Sequence, residues 1–293
     1  LSIIRINKMN FKKNRLLENF KNSPRYSVKW SNYFDIYEEI FRKYEDKEII
    51  LVEIGVGDGG SLHMWRDYFN KNCRIIGIEM NPDAKKLEKD GFEIFIGDQS
   101  KKDFWENFYK KVGKIDILLD DGGHRNIQQI TSVVESISHI NEGGMIVVED
   151  THTSYMKKLG FGNPSKYSFI NFCNVLIENI HRRNPMTPKD NNIFSDKIYS
   201  LCFYDSIAVI NVSPKIKKKS EWASSREDNP VFFVDFRNRG YFLKTINLYK
   251  KLFGELKEDT LIFKILRKIF HRNFFFYIHE RLKLRKYFIN FKK

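Results

Sequence analysis

The stretch from Ile49 to Ser61 constrains the fold more than any other part of the chain: an apolar run reaches a carboxylate at Glu53 and then breaks into Gly55, Gly57, Gly59 and Gly60. Ile49 to Val52 is aliphatic and largely β-branched, which predicts a strand buried on both faces, as in a parallel sheet. The glycines lack a Cβ, so the backbone can turn tightly there and a ligand can approach it closely. A helix is expected to follow from Ser61.

Beyond this turn the pattern alternates in βα units, the mark of a doubly wound sheet. Strands are predicted at Ile49–Ile54, Arg74–Ile78, Phe92–Ile96, Ile115–Leu119 and Met145–Val148. Helices are expected near Ser61–Phe69, Asp83–Lys89, Lys101–Tyr109 and Asn126–Ser138, with a later one about Tyr167–Asn179. Two further strands, Tyr199–Phe203 and Ser206–Val212, close the pattern. Upstream, Phe34, Tyr37, Ile40, Phe41 and Tyr44 recur at helical spacing, which predicts a helix over Ser31–Tyr44 with Ser31 as N-cap. Tyr33 and Tyr37 could wall a cofactor site, although burial in the core is the ordinary fate of such aromatics. Residues 1–22 read as a basic, loosely docked arm.

Two cofactor types fit the glycine turn. Gly55-x-Gly57-x-x-Gly60 matches the dinucleotide fingerprint, with Glu79 at the end of the next strand where a ribose-binding acid belongs. Glu53 tilts the choice: a carboxylate two residues before the first glycine repels a pyrophosphate but suits a cofactor with a cationic amino-acid moiety. S-adenosylmethionine (SAM) is such a cofactor. Asp98, after Gly97, closes the third strand in the same way.

Through Glu53-x-Gly55-x-Gly57-x-Gly59, Glu79 and Asp98, residues 30 to 212 resemble the class I SAM-dependent methyltransferases. The resemblance implies a Rossmann-like, mostly parallel sheet whose last strand is antiparallel, here with an N-terminal helical cap and a basic helical C-terminal extension. It implies that the glycine turn holds the methionine part, Glu79 the ribose hydroxyls and Asp98 the adenine amino group. Glu53, Gly55, Gly57, Gly59, Ser61, Glu79, Asp98 and Asp120 make up the expected cofactor-binding set.

The ends of strands four and five carry further chemistry, Asp120-Asp121-Gly-Gly-His124 and Glu149-Asp150-Thr-His152. Ligands of open parallel sheets bind beyond the carboxyl ends of the strands, so Asp121, Glu149 and Asp150 should converge beside the cofactor. Carboxylates crowded in this way take up protons or recruit a cation, and all-oxygen ligation favours a hard divalent ion such as Mg²⁺. His124, one turn from Asp121, is then placed to act as a base on an acceptor hydroxyl, with His152 the competing candidate. These two segments resemble the metal-dependent sugar O-methyltransferases of macrolide biosynthesis, the mycinamicin and macrocin type. That resemblance implies Asp121, Glu149 and Asp150 as magnesium ligands and His124 as general base. The family more often has serine where Gly123 stands.

Lys and Arg total 51 against 37 Asp and Glu, a net charge of +14. Residues 241–293 hold +10 of it, so the basic character belongs to the tail. There Leu261, Ile262, Ile265, Leu266, Ile269 and Phe270 share one helical face with basic residues around it. Such a helix could lie on an anionic membrane surface, cover the domain, or join copies of the chain into a homo-oligomer. The expected segments are an arm (1–30), a methyltransferase domain (31–212), a linker or lid (213–240) and the basic tail (241–293). Cys73, Cys173 and Cys202 show neither metal spacing nor an even framework, which fits a reducing cytoplasm. There is no apolar run of bilayer length and no secretory signal pattern, so the expected location is cytoplasmic, with attachment at the inner face of the membrane through the tail. The expected acceptor is a sugar hydroxyl, of a bacterial surface polysaccharide or another glycan. Two readings compete: an NAD-dependent oxidoreductase, which leaves Glu53, Asp98 and the acid cluster without a role, and an RNA-binding protein or RNA methyltransferase, which would use the charge but lacks an Asn-Pro-Pro-Tyr type motif.

Overall fold

The structure, a computed structural model, describes residues 14–213 other than 46, 70, 161–163 and 185–192, together with scattered positions between 248 and 287. The chain divides into two compact units, Leu1–Trp222 and Ala223–Lys293. All the elements that follow belong to the first. The linker after Ser213 lies outside the described residues, as do Leu266, Ile269 and Phe270. Of the amphipathic tail, Leu261, Ile262, Lys264 and Ile265 are described, and they are helical and exposed. Among the described residues no helix is long and apolar enough to cross a membrane.

Seven strands form one sheet in the order β3-β2-β1-β4-β5-β7-β6. They are β1 (Ile50–Ile54), β2 (Arg74–Glu79), β3 (Glu93–Ile96), β4 (Ile115–Asp120), β5 (Ile140–Val148), β6 (Ile198–Phe203) and β7 (Ala208–Val212). The first five pair in parallel, and β7 runs antiparallel to both β5 and β6. The expected antiparallel last strand is therefore present, inserted between its neighbours. β5 begins five residues earlier than its apolar core suggested: Asn141, Glu142, Gly143 and Gly144 extend it across a register shift against β4.

Both faces of the sheet are covered, which explains why its strands read as continuous apolar runs. In β1, Leu51 packs on one side with α1 (Arg15–Lys21), α2 (Tyr33–Phe41) and α3 (Gly60–Tyr68), through Leu16, Phe34, Phe41 and Trp65. Val52 and Ile54 point the other way, into a core shared with α4 (Lys102–Val112) and α5 (Asn126–Ser136), through Trp105, Phe108 and Val133. After the short α6 (Lys157–Gly160), α7 (Phe169–His181) adds Phe169, Cys173 and Leu176 to that second core. A last short helix, α8 (Ile193–Lys197), leads into β6.

Three local expectations differ. Residues 15–21 are not a loose arm: they form α1, capped by the Asn14 side chain on Leu17 N, with Leu16 fully buried. Helix α2 starts at Tyr33 rather than being capped by Ser31. Asn32 precedes it without a side-chain cap and instead donates to Asp205 Oδ2 at 3.2 Å. The segment after β2 is a 3₁₀ helix, Pro82–Asp90, begun by an Asn81 side-chain cap.

Candidate active site

Parallel pairing sets the strand ends side by side. Ile54 stands opposite Asp120, and Asp120 opposite Val148, so Glu53, Asp121, Glu149 and Asp150 emerge along one edge of the sheet. The ladder continues one residue past the strands, with Asp121 N donating to Ile54 O at 3.1 Å and Glu149 N to Asp120 O at 2.9 Å. Gly55 is needed where these ends meet: its φ is +86°, and a Cβ there would come within 2.2 Å of the Asp121 carbonyl oxygen.

A cleft of about 230 Å³ opens over the glycine turn, lined by Gly55, Ile78, Glu79, Gly97, Gln99, Gly122 and Gly123 among others. Glu79 accepts from Gly57 N at 3.1 Å, Met80 N at 2.8 Å and Asn81 N at 3.1 Å, so its carboxylate is held in place at the cleft wall. Asp98, expected at the adenine end, accepts from Ser100 N at 2.8 Å. Burial would raise its pKa, but the hydrogen bonds from Ser100 hold it below the usual range. The neighbouring Gln99 lines the cleft; its amide donates to both Asp120 oxygens at 2.9 and 3.0 Å, and its oxygen accepts from Gly123 N at 2.9 Å. Asp120 is thus buried and engaged by Gln99, and burial raises its pKa. Ser61, also buried, donates to Glu53 Oε2 at 2.8 Å. The other Glu53 oxygen is buried without a hydrogen-bond partner, an acceptor suited to the ammonium of a cofactor's amino-acid moiety. Burial, only partly offset by the nearby Lys29, raises the Glu53 pKa to about 7.

Beside the turn, at the ends of β4 and β5, Asp121, His124 and Asp150 each offer a ligand atom, and the three atoms lie within 4.8 Å of one another. His124 Nε2 is 3.5 Å from Asp150 Oδ2 and 4.0 Å from Asp121 Oδ1. His152 Nδ1 is 4.0 Å from Asp150 Oδ1. The two carboxylates suit a hard divalent ion and the imidazole is the softer member of the set; His124 Nδ1 is buried without a hydrogen-bond partner. His124 and Asp150 both occupy the left-handed region, at φ 56° and 53°, where residues with a Cβ are rare and strain marks functional positions. The buried Thr153 hydroxyl bridges them, 3.0 Å from the His124 carbonyl and 2.7 Å from that of Asp150.

Glu149 is fully buried, and its carboxylate faces Lys29 and Tyr37. Lys29 Nζ donates to Glu149 Oε1 at 2.9 Å, Glu149 Oε2 at 3.2 Å and Asp121 Oδ2 at 2.8 Å, and stands 3.7 Å from Glu53 Oε1. The Tyr37 hydroxyl donates to Glu149 as well, and Tyr33 donates to Asp150 Oδ1 at 2.5 Å. Burial alone would lower the Lys29 pKa, yet the three acids carry it well above the usual lysine range, so the ammonium stays charged. Burial raises Glu149, with Asp121 adding to it and Lys29 opposing. Tyr33 and Tyr37 are therefore core and site residues at once: their rings pack in the first core, and their hydroxyls hold the acids.

Sequence reasoning missed Lys29, Gln99 and Thr153. Lys29 is one of many lysines in a basic stretch, and nothing local marks its burial. Gln99 and Thr153 adjoin residues that were singled out, and the next position along each strand-end loop was the signal available.

No protein-family model matches the chain. It is 28% identical over 201 residues to the 8-demethyl-8-alpha-L-rhamnosyl tetracenomycin-C 2'-O-methyltransferase of Streptomyces olivaceus, covering 63% of this chain and 51% of that protein. To the mycinamicin VI 2''-O-methyltransferase of Micromonospora griseorubida it is 30% identical over 188 residues, 59% of this chain and 46% of that one. The MycE methyltransferase of the mycinamycin biosynthetic pathway, solved in complex with Mg and SAH, superposes with a TM-score of 0.59 at 26% identity, over 64% of this chain and 50% of that one. The chain spans about half the length of the curated relatives it matches. The sheet and its flanking helices have the Rossmann-like methyltransferase fold, and the chain is similar to the sugar O-methyltransferases of macrolide and polyketide glycosides.

Proposed function

We propose that the protein is a SAM-dependent, divalent-metal-assisted O-methyltransferase that acts on a sugar hydroxyl. The observation that carries this reading is the convergence of Asp121, Asp150 and His124 beside a glycine turn whose carboxylate, Glu53, keeps one buried oxygen without a hydrogen bond, 3.7 Å from the Lys29 ammonium. The relatives support it: one is the 2'-O-methyltransferase of a rhamnosyl tetracenomycin-C and another the 2''-O-methyltransferase of mycinamicin VI. A dinucleotide's pyrophosphate would meet Glu53, Asp121 and Glu149 at close quarters, which weighs against an oxidoreductase.

In this reading Glu53, Gly55, Gly57 and Gly59 receive the methionine moiety with Ser61 steadying Glu53, while Glu79 takes the ribose and the Gly97 to Gln99 turn the adenine, with Asp120 behind it. Asp121, Glu149 and Asp150 hold the ion. When bound, SAM supplies an electrophilic methyl group and the ion an acidified hydroxyl. The chain's own task is to orient the acceptor and take its proton. His124 Nε2, already among the carboxylates, accepts that proton, and Asp150 at 3.5 Å stabilises the resulting imidazolium. Tyr33 and Tyr37 fix the two carboxylates behind the reacting face. Trp30, 61% exposed and edge-on to His152 at 6.4 Å, offers a flat apolar surface against which a pyranose can stack.

The acceptor is a glycoside in this proposal. A surface glycan, with the basic tail held at an anionic membrane, is its membrane-side form and rests on tail residues outside the described set. The test is methyl transfer from SAM to a panel of rhamnosylated polyketides and of isolated surface glycans, read by mass spectrometry with and without EDTA. Metal-dependent gain of a methyl group on a sugar is expected. SAM binding with metal-independent transfer to a non-sugar acceptor, or NADH binding in its place, would sink the reading.

A further inference from the structure

Lys29 sits on an extended strap, residues 23–30, whose burial alternates. Tyr26, Val28 and Trp30 are 74%, 69% and 61% exposed, whereas the Lys29 side chain is 1% exposed. The strap crosses the start of α3. Gly60 has no Cβ to fend it off: an added one would lie 2.6 Å from the Arg25 carbonyl oxygen. Ser23 donates to Gly60 O at 2.9 Å, and Arg25 pairs with Asp90 at 2.6 Å. The Tyr26 backbone also hydrogen-bonds the Asp58 carboxylate, and beyond it the strap makes no backbone–backbone hydrogen bond among the described residues until Tyr33 N donates to Trp30 O. It is held to the site chiefly by the Lys29 ammonium.

That ammonium takes both oxygens of Glu149 and one of Asp121. Two of the three carboxylates assigned to the ion are thus occupied by a cation of the chain's own, while the third, Asp150, takes the Tyr33 hydroxyl on Oδ1 and lies with Asp121 Oδ1 beside His124. A divalent ion that draws in Glu149 must approach an ammonium already on both of its oxygens, and two cations so close in a buried site repel each other strongly. Resting on the metal-dependent reading above, we propose that Lys29 is an internal competitor for the divalent ion. Glu149 passes from Lys29 to the ion on metal loading, and strap 23–30 loosens as Lys29 withdraws. Trp30, the next residue, moves with it, so metal loading and opening of the acceptor side are one event.

Mn²⁺ alone is the probe, its binding read by electron paramagnetic resonance on the full chain, wild type and Lys29→Met. A competitor that leaves the open state about a tenth populated lowers apparent affinity about tenfold, so Lys29→Met should bind Mn²⁺ about tenfold more tightly. A lysine needed only for structure would leave affinity unchanged or weaken it on removal, and either result overturns the proposal. Limited trypsin cleavage after Arg25 and Lys29 of the wild type gives a second reading should the variant not fold. Mn²⁺ should speed cleavage there as the strap loosens, and unchanged or slowed cleavage overturns the proposal. Mn²⁺ binding equally to both proteins defeats the competition and leaves the metal reading intact, whereas no Mn²⁺ binding to either defeats both.

Discussion

Glu53 shows how one residue can be costly to the fold and useful to the site. Its pKa rises from 4.5 to about 7 because it is buried. Between those values the folded protein keeps a proton that the unfolded chain has lost, so stability falls as pH rises through that window and is lowest above it. A shift of this size corresponds to about 3 kcal/mol. Glu53→Gln should therefore be more stable than wild type at about pH 8, with the gain vanishing towards pH 4.5. Urea unfolding at several pH values checks this, and calorimetry should show the same variant binding SAM more weakly. Trp30→Ala tests the acceptor side: it should raise KM for the sugar acceptor and leave SAM affinity unchanged, and a fall in SAM affinity would count against the stacking role. Glu53, Glu79, Asp121, Glu149 and Asp150 were legible in the sequence because each ends an apolar run. Lys29 was not, since its burial depends on Asp121 and Glu149, which are 92 and 120 residues away.

The loops after β4 and β5 are joined by one hydroxyl among other contacts. Thr153 lies within hydrogen-bond distance of the carbonyls of both left-handed residues, His124 and Asp150, and keeps the two ligand-bearing turns in register. Thr153→Val keeps the shape and removes the donor; Asp150 O keeps the Thr153 N–H at 3.0 Å, so the loss falls on the bond to the His124 carbonyl, at about 1 kcal/mol. Thermal unfolding should register that loss, and Mn²⁺ affinity should fall with it. The glycine turn gives a second comparison. Gly57, at φ +52° with open space around it, would bear an alanine at the left-handed cost alone. That is about 1–2 kcal/mol. Gly55→Ala should cost clearly more, because its Cβ would strike the Asp121 backbone. Chemical denaturation of the pair decides it. The strand ends could be read from the sequence because periodicity stops where a carboxylate or glycine begins. The 3₁₀ form of Pro82–Asp90 and the start of α2 at Tyr33 could not, since each turns on cap contacts. The Asn32 side chain, for one, is taken by Asp205.

At the scale of the molecule, the sheet and its two cores lie within Leu1–Trp222, while the charge gathers beyond it. A chain ending at Trp222 should unfold in one cooperative transition and still bind SAM. The full chain, with +10 in residues 241–293, should bind anionic vesicles in a salt-sensitive way that the shorter one lacks. Vesicle flotation separates the two, and equal binding would remove the membrane role from the tail. The position of β7 has a consequence for how the protein is made. β5 carries Glu149 and Asp150 at its end, and its outer edge pairs with residues 208–211, which leave the ribosome long after it does. β6, synthesised before β7, cannot join the sheet until β7 has slotted in between. A nascent chain halted before Ala208 would hold the glycine turn and β4 but leave β5 with an open edge, a template for stray pairing. The end of the sheet that carries Glu149 and Asp150 is thus the last to be completed, and a translation stall between β5 and β7 should leave that edge open to stray pairing.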